Sequence, residues 1–304
     1  MPYSKYKKVQ NNDISSEING DLISDLLQTK PPLVSIIIIV KNAASTIKNA
    51  IESVINQTYP NIELIIIDGA SNDGTLEIIE NFRDQISKFI SEPDESPTHA
   101  RNKGLRLCSG EYIYFNHSDD TIPQFFIQKC VFFALRNNAD FVYGNTEFIF
   151  NDKDDTNPFI THYGSSNYKN TIKRQNPFPG SSLLIHKICL DEIGLYDERF
   201  RFCDDYEFSS RLALSNLHGV YCPDLVVKCS MGGRSMQTDL ILKEKILQEN
   251  IIIRLLSGAS PIKVFIIYLI LKLRMILVYC LNKLLPKVLY EFIRRTNRIF
   301  SKRV

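Results

Sequence analysis

The sequence predicts an α/β domain built on a mostly parallel sheet flanked by helices. Three observations carry that prediction. First, "LVSIIIIV" (33–40) and "IELIIID" (62–68) are continuously apolar and rich in β-branched residues, as strands buried on both faces are. Second, Ile47, Ala50, Ile51, Val54 and Ile55 recur between them at helical spacing. Third, strand, helix, strand, helix and strand alternate through the first 115 residues. Such alternation means right-handed βαβ units and parallel neighbours.

The elements follow in order. The second strand stops at Asp68 and enters "GASNDGT", a turn-rich loop. Thr75 is the expected cap of the next helix, whose face holds Leu76, Ile79, Phe82 and Ile86. A short strand "KFIS" (88–91), the loop "EPDESP", a helix over 98–108 and the strand "EYIYF" (111–115) come next. A helix is expected over 122–137, with Asp120 as its cap and Pro123 in an early position. Further on, 140–150 reads as strand, 151–158 as loop, 176–186 as a turn entering a strand, and 204–214 and 236–256 as helices.

Composition narrows the class. The 304 residues are 44% hydrophobic, with a formal net charge of +2, enough for one large α/β domain or two small ones. That charge is unevenly placed. Residues 261–304 hold ten Lys/Arg against one acid, Glu291, which makes the tail +9 and the rest −7. Seven scattered cysteines with no C-x-x-C pair argue against a zinc cluster or a disulfide framework and fit reduced thiols in the cytosol. Residues 1–31 read as a polar leader without the apolar core of a signal peptide.

Ligands of open α/β sheets bind beyond the carboxyl ends of the strands. Two acidic features lie at such ends. Asp68 is either a turn residue of "DGASNDG" or a hydrogen-bond acceptor for a nucleotide. A dinucleotide fingerprint is absent, because "KNAASTIKNA" after the first strand has no glycine. "YFNHSDD" (114–120) ends on adjacent carboxylates. It is either a solvated turn or a place for a divalent cation, with Asp119 as oxygen ligand and His117 as a borderline one. "DDYE" places Asp204, Asp205 and Glu207 in one helical turn, as helix-start decoration or as a general base facing the cleft. Arg101 is a candidate phosphate contact, whereas Lys103 reads as part of a solvated face. "MGGRS" (231–235) offers Gly233 and Arg234 as a phosphate-approaching loop.

Taken in order, "VSIIIIVKNAASTIKNAIESVINQTYPNIELIIIDGASNDGT", "ARNKG", "GEYIYFNHSDD", "LYDERF", "DDYEFSSRL" and "GGRS" resemble glycosyltransferase family 2, from about Val34 to Arg234. The resemblance implies a GT-A fold over residues 32–258 and an inverting transfer from a nucleoside-diphosphate sugar, a UDP-sugar, to a glycan or lipid-linked acceptor. It implies that Asp68 contacts the nucleotide base and that Asp119 is the last acid of a D-x-D motif holding Mn2+ or Mg2+. It also implies that Asp205 is the base, with Arg101, Gly233 and Arg234 on the donor. The first D-x-D position, commonly Asp or Asn, is His117 here. The alternative from another class is a non-catalytic module that binds a nucleotide-sugar or a partner.

The tail, 259–304, contains "IKVFIIYLILKLRMILVYCL" (262–281), with Lys272 and Arg274 at its middle. Each would cost roughly 2.5–3.5 kcal/mol at a bilayer centre. An interfacial helix is therefore expected, followed by a basic helix at 287–303. The other reading is a helix packed on the catalytic domain. Lys272 and Arg274 project to different sides, so the helix does not read as a simple amphipathic wheel. Nucleic acid is a poorer partner for a tail with this much aliphatic surface, and none is expected. The expected location is cytoplasmic, peripheral at the inner face of the cell membrane.

Overall fold

A computed structural model describes residues 31–150, 159–161, 168–178, 180–231 and 240–284. The expected leader, the loop at 151–158, Gly233 and Arg234, and the basic helix at 287–303 lie outside the described residues. The chain divides into two compact units, residues 1–233 and residues 234–304.

The first unit carries an eight-stranded sheet. Its strands are β1 (Val34–Val40), β2 (Ile62–Asp68), β3 (Lys88–Ser91), β4 (Tyr112–His117), β5 (Phe141–Phe150), β6 (Phe159–Thr161), β7 (Leu183–His186) and β8 (Gly219–Met231). The order is β3-β2-β1-β4-β7-β5-β6, with β8 paired to β5. The β3/β2, β2/β1, β1/β4 and β5/β8 pairs are parallel; β7 is antiparallel to β4 and β5, and β6 to β5. Its helices of six or more residues are α1 (Ile47–Ile55), α2 (Thr75–Glu80), α3 (Pro97–Leu107), α4 (Phe126–Asn137), α5 (Ile188–Ile193) and α6 (Asp204–Leu214).

The alternation of β1 explains its unbroken apolar run. Ile36, Ile38 and Val40 enter a core shared with α1 and α4. Ile37 points the other way, into a core shared with α3 and α6. Successive strand residues face opposite sides, so both sets must be apolar when helices cover both faces. On that second face α3 lies so close that a Cβ on Gly104 would sit 2.6 Å from Ile37 Cγ2.

Several boundaries differ from the sequence reading. Gly74, at φ +94°, precedes α2, and the Asp73 carboxylate accepts from the Thr75 N–H (3.1 Å). Asp73 therefore does the capping expected of Thr75, whose hydroxyl instead accepts from the Ala43 N–H. The helix expected from 122 begins at Phe126. Asp120 does not cap it, because Thr121 bridges to Lys228 and pulls the loop onto β8. The 13-residue β8 ("GVYCPDLVVKCSM") has no counterpart in the sequence reading. Among the described residues Cys108, Cys130, Cys189, Cys203, Cys222 and Cys229 are free thiols.

Far from the carboxyl edge, Glu63 is buried and joins three segments. It accepts from the Ser35 hydroxyl and from the Ser109 (2.5 Å) and Gly110 (3.1 Å) N–H groups, with Lys88 at 3.2 Å. Burial raises its pKa, but the bonds from Ser35, Ser109 and Lys88 outweigh that and hold it below the ordinary value of 4.5. A carboxylate held low contributes stability above its unfolded pKa and loses it as pH falls through the folded one. Glu63→Gln is expected to lower stability by about 1–3 kcal/mol at pH 7. The gap between variant and parent should shrink below about pH 4.5; urea unfolding of both proteins at pH 7 and pH 4 checks this.

The second unit is described through α7 (Leu240–Leu256) and α8 (Pro261–Leu284). They are joined by a short turn and linked by Glu244, which accepts from Tyr268 (3.0 Å) and Lys272 (2.9 Å). No helix of the described residues is long and apolar enough to cross a membrane.

Candidate active site

Parallel pairing brings the carboxyl ends of four neighbouring strands to one edge. Val40 lies opposite Asp68, Asp68 opposite Ser91, and Ile39 opposite His117. Asp68 and His117 are thus two strand spacings apart, about 10 Å.

The loops after β1 and β2 are tied into one wall. Asn42 N donates to Ser71 Oγ (2.8 Å), Asn72 N to Asn42 Oδ1 (3.0 Å), and Ala44 N to Asp73 Oδ2 (3.0 Å). Asn42 and Ala70 sit at φ 53° and 57°. Asparagine tolerates that region, but for Ala70 it costs roughly 1–2 kcal/mol, which these bonds must offset. Asp68 is completely buried behind this wall. Its carboxylate accepts from Ser71 N (3.0 Å), Ser71 Oγ (2.5 Å) and Ser91 Oγ (2.7 Å). It therefore shapes the loop as well as ending the strand.

Beyond β4, His117, Asp119 and Asp120 present ligand atoms that all lie within 4.8 Å of one another. Burial and the charge of Arg101 push the His117 imidazole down to about 4, so it is neutral at pH 7, as a metal ligand must be. Burial pushes Asp119 up, the cost a cation would relieve. Two carboxylates and a neutral imidazole suit a divalent ion such as Mn2+, so the residues present fit the group. Asp120, the buried third member, was read from the sequence as a helix cap. Cys229 Sγ donates to its Oδ2 at 3.1 Å, a contact 109 residues distant in sequence that no local pattern could reveal.

The acids at the start of α6 diverge, as successive helical positions must. Asp204 Oδ2 accepts from Arg101 Nε at 2.9 Å and from Thr98 Oγ1 at 3.3 Å. Asp205 Oδ2 accepts from Asn176 Nδ2 (3.1 Å) and Oδ1 from Tyr206 N (2.8 Å). Glu207 turns away to Arg211, at 2.6 and 2.8 Å. Burial, and next the charge of Asp204, push the Asp205 carboxyl up; Arg101 and the Tyr206 N–H oppose them.

Arg101 connects the two halves of the mouth. Its guanidinium lies over the rings of Phe115 on β4 (5.4 Å) and Tyr196 (5.6 Å) while holding Asp204. The structure thus commits its Nε to a protein carboxylate, a role the sequence did not indicate. Lys103 is not on a solvated face: its ammonium pairs with Glu92 (2.5 Å) and Asp94 (2.8 Å). Asn176 was also missed; in "NPFPG" an Asn before Pro reads as a turn.

Residues 35–192 match the sequence family described as Glycosyl transferase family 2. The chain is 38% identical over 121 residues to the UDP-Glc:alpha-D-GlcNAc-diphosphoundecaprenol beta-1,3-glucosyltransferase WfgD of Escherichia coli, covering 40% of this chain and 48% of that one. The chain spans about half the length of the curated relatives it matches first. Among solved structures, S. aureus TarS in complex with UDP-GlcNAc aligns with a TM-score of 0.56 and 18% identity, over 73% of this chain and 66% of that chain. The mannosyltransferase PcManGT from Pyrobaculum calidifontis, in complex with GDP-Man and Mn2+, aligns with a TM-score of 0.60 and 15% identity, over 89% and 81%. At these identities the structural likeness shows the fold.

Proposed function

The chain belongs to glycosyl transferase family 2, and from that premise we propose that it transfers a sugar from a nucleoside-diphosphate sugar to a glycan or lipid-linked acceptor, with inversion at the anomeric carbon. Its fold is GT-A. The observation that carries the proposal is one sheet edge bearing Asp68 and the His117/Asp119/Asp120 cluster, with Arg101 bonded to Asp204 and the half-buried Asp205 next to it in the chain. A UDP-sugar is the proposed donor, and assembly of cell-envelope polysaccharide at the inner membrane face the proposed setting.

Each residue has a task. Asp68 and the loop it holds receive the nucleotide base. His117, Asp119 and Asp120 are the residues that would hold Mn2+ or Mg2+. A cation there supplies Lewis-acid stabilisation of the charge that develops on the departing nucleoside diphosphate. Asp205 accepts the proton of the acceptor hydroxyl as that oxygen attacks from the face opposite the leaving group. One displacement inverts the centre, so no protein nucleophile is required. Asn176 and Tyr206 N–H fix the Asp205 carboxylate, and Arg101 fixes Asp204 beside it. Gly233 and Arg234, outside the described residues, are proposed to contact the donor.

The test is transfer of labelled sugar from a panel of UDP- and GDP-sugars to a lipid-linked acceptor extract, with Mn2+ or Mg2+ present or chelated. Metal-dependent incorporation supports the proposal. Nucleotide binding without transfer from any donor would favour the binding-module alternative. Asp68→Ala is expected to weaken UDP binding at least tenfold in calorimetry while leaving the metal requirement in place. Unchanged UDP affinity would remove Asp68 from the base site.

A further inference from the structure

The second unit exposes an ordered apolar stripe. On α8, Ile262, Phe265, Ile266, Leu269, Ile270 and Leu273 are between 42% and 74% exposed, and the series runs on to Leu277 at 58%. At ~100° per residue the six span roughly 140° of arc. Val264, by contrast, is buried, and Tyr268 turns to Glu244 of α7. The helix therefore has a face occupied by its own unit and an opposite apolar face in solvent. A continuous patch of this size marks a surface that something covers.

The charges identify the cover. Between Pro261 and Leu284 there are four cations, Lys263, Lys272, Arg274 and Lys283, and no acid. On the same ~100° projection, Lys263 and Arg274 fall just beyond one edge of the stripe and Lys272 just beyond the other. Lys272 and Arg274 thus project to different sides because they form the two borders of one apolar face. Lys263 and Arg274 can place their stems along the acyl boundary and their heads among anionic headgroups, whereas the Lys272 ammonium is held by Glu244. A second copy of the chain would bring like charges together with no acid on this helix to pair them. Spanning is excluded by Lys272 and Arg274, and no described helix meets the requirement for a span.

We propose that the Ile262–Leu277 face of α8 docks on an anionic bilayer, with the helix lying in the plane of the interface. This goes beyond the donor-site reading and does not depend on it.

The chain has no tryptophan, so one introduced on the stripe reports its own surroundings. Phe265→Trp in the full chain should shift its emission to the blue on mixing with phosphatidylglycerol vesicles and be quenched by brominated lipid. The parent should bind these vesicles at least tenfold more tightly than phosphatidylcholine vesicles. Ile266→Glu with Leu273→Glu should lose at least tenfold of that binding, and Lys263→Glu with Arg274→Glu should abolish the preference for anionic lipid. Unchanged helical content and an unchanged thermal unfolding midpoint would establish that the variants are folded. An unshifted, unquenched Phe265→Trp emission in the presence of bound vesicles overturns the proposal. So does full vesicle binding by the Ile266→Glu, Leu273→Glu variant, which would leave attachment to the basic segment beyond α8. Light scattering supplies the third overturning outcome: a parent dimer that the double variant dissociates, with no vesicle binding by either, gives the face to a second copy.

Discussion

Asp205→Asn is expected to keep donor affinity within about twofold and to lose sugar transfer by roughly 10²–10⁴-fold, the worth of a general base. The asparagine preserves shape and can still accept from the Tyr206 N–H or from Asn176 with its one oxygen, but it cannot take a proton. The pH profile of the parent should carry the same signature. A base is active when deprotonated, so the rate should rise with pH across the Asp205 pKa, which burial and Asp204 raise above the usual carboxylate range. Arg101 is the charge that opposes that rise. Arg101→Met should therefore move the acid limb to higher pH, a displacement that loosened packing alone would not produce. Single-turnover transfer across a pH series measures both effects. Asp204→Asn should act differently, since it weakens the partner of a buried guanidinium and costs stability as well as rate. Glu207→Gln, whose carboxylate faces Arg211, should leave transfer near the parental level. Parental transfer by Asp205→Asn together with a dead but folded Asp204→Asn would move the base by one residue.

Asp119→Ala is the second large effect: metal-dependent UDP binding should disappear. The cluster has one imidazole and two carboxylates, and Asp120 already accepts from the Cys229 thiol. Removing Asp119 takes away the carboxylate best placed to balance a divalent charge. The readout is Mn2+ itself, followed by electron paramagnetic resonance with and without UDP, so it does not depend on turnover. Bound Mn2+ should fall at least tenfold in the variant. His117→Asp should bind the ion as tightly as the parent or more tightly, because it restores an acid at the first D-x-D position. If Asp119→Ala binds UDP and Mn2+ like the parent, the segment is a solvated turn after all.

The legible part of this molecule was local. α6 begins at Asp204 and ends at Leu214, as "DDYEFSSRLAL" indicates, because first-turn acids and helical spacing are properties of adjacent residues. β1 and β2 were equally plain, since a strand covered on both faces must be apolar at every position. β4 ran two residues further than expected, to His117, because Asn116 and His117 are polar yet pair with Ile38 and Ile39. The late strand β8 escaped notice because Pro223 and Asp224 break its apolar runs; its pairing with β5 is interrupted there too and resumes at Val226.

By itself the sequence determined the parallel βαβ half, the sheet edge at which Asp68 and "HSDD" emerge, and the divergence of the three acids in one helical turn. Those follow from the fixed periods of strand and helix. Only the tertiary structure decided what each side chain meets. It gave Arg101 to Asp204 across 103 residues, Asn176 to Asp205, and Asp120 to Cys229 rather than to a helix end. It also set Tyr268 and Lys272 against Glu244, which turned the remaining face of α8 outward. The reason is physical: a period states which residues share a face, whereas strand order and the rotation of each helix about its axis decide what that face touches.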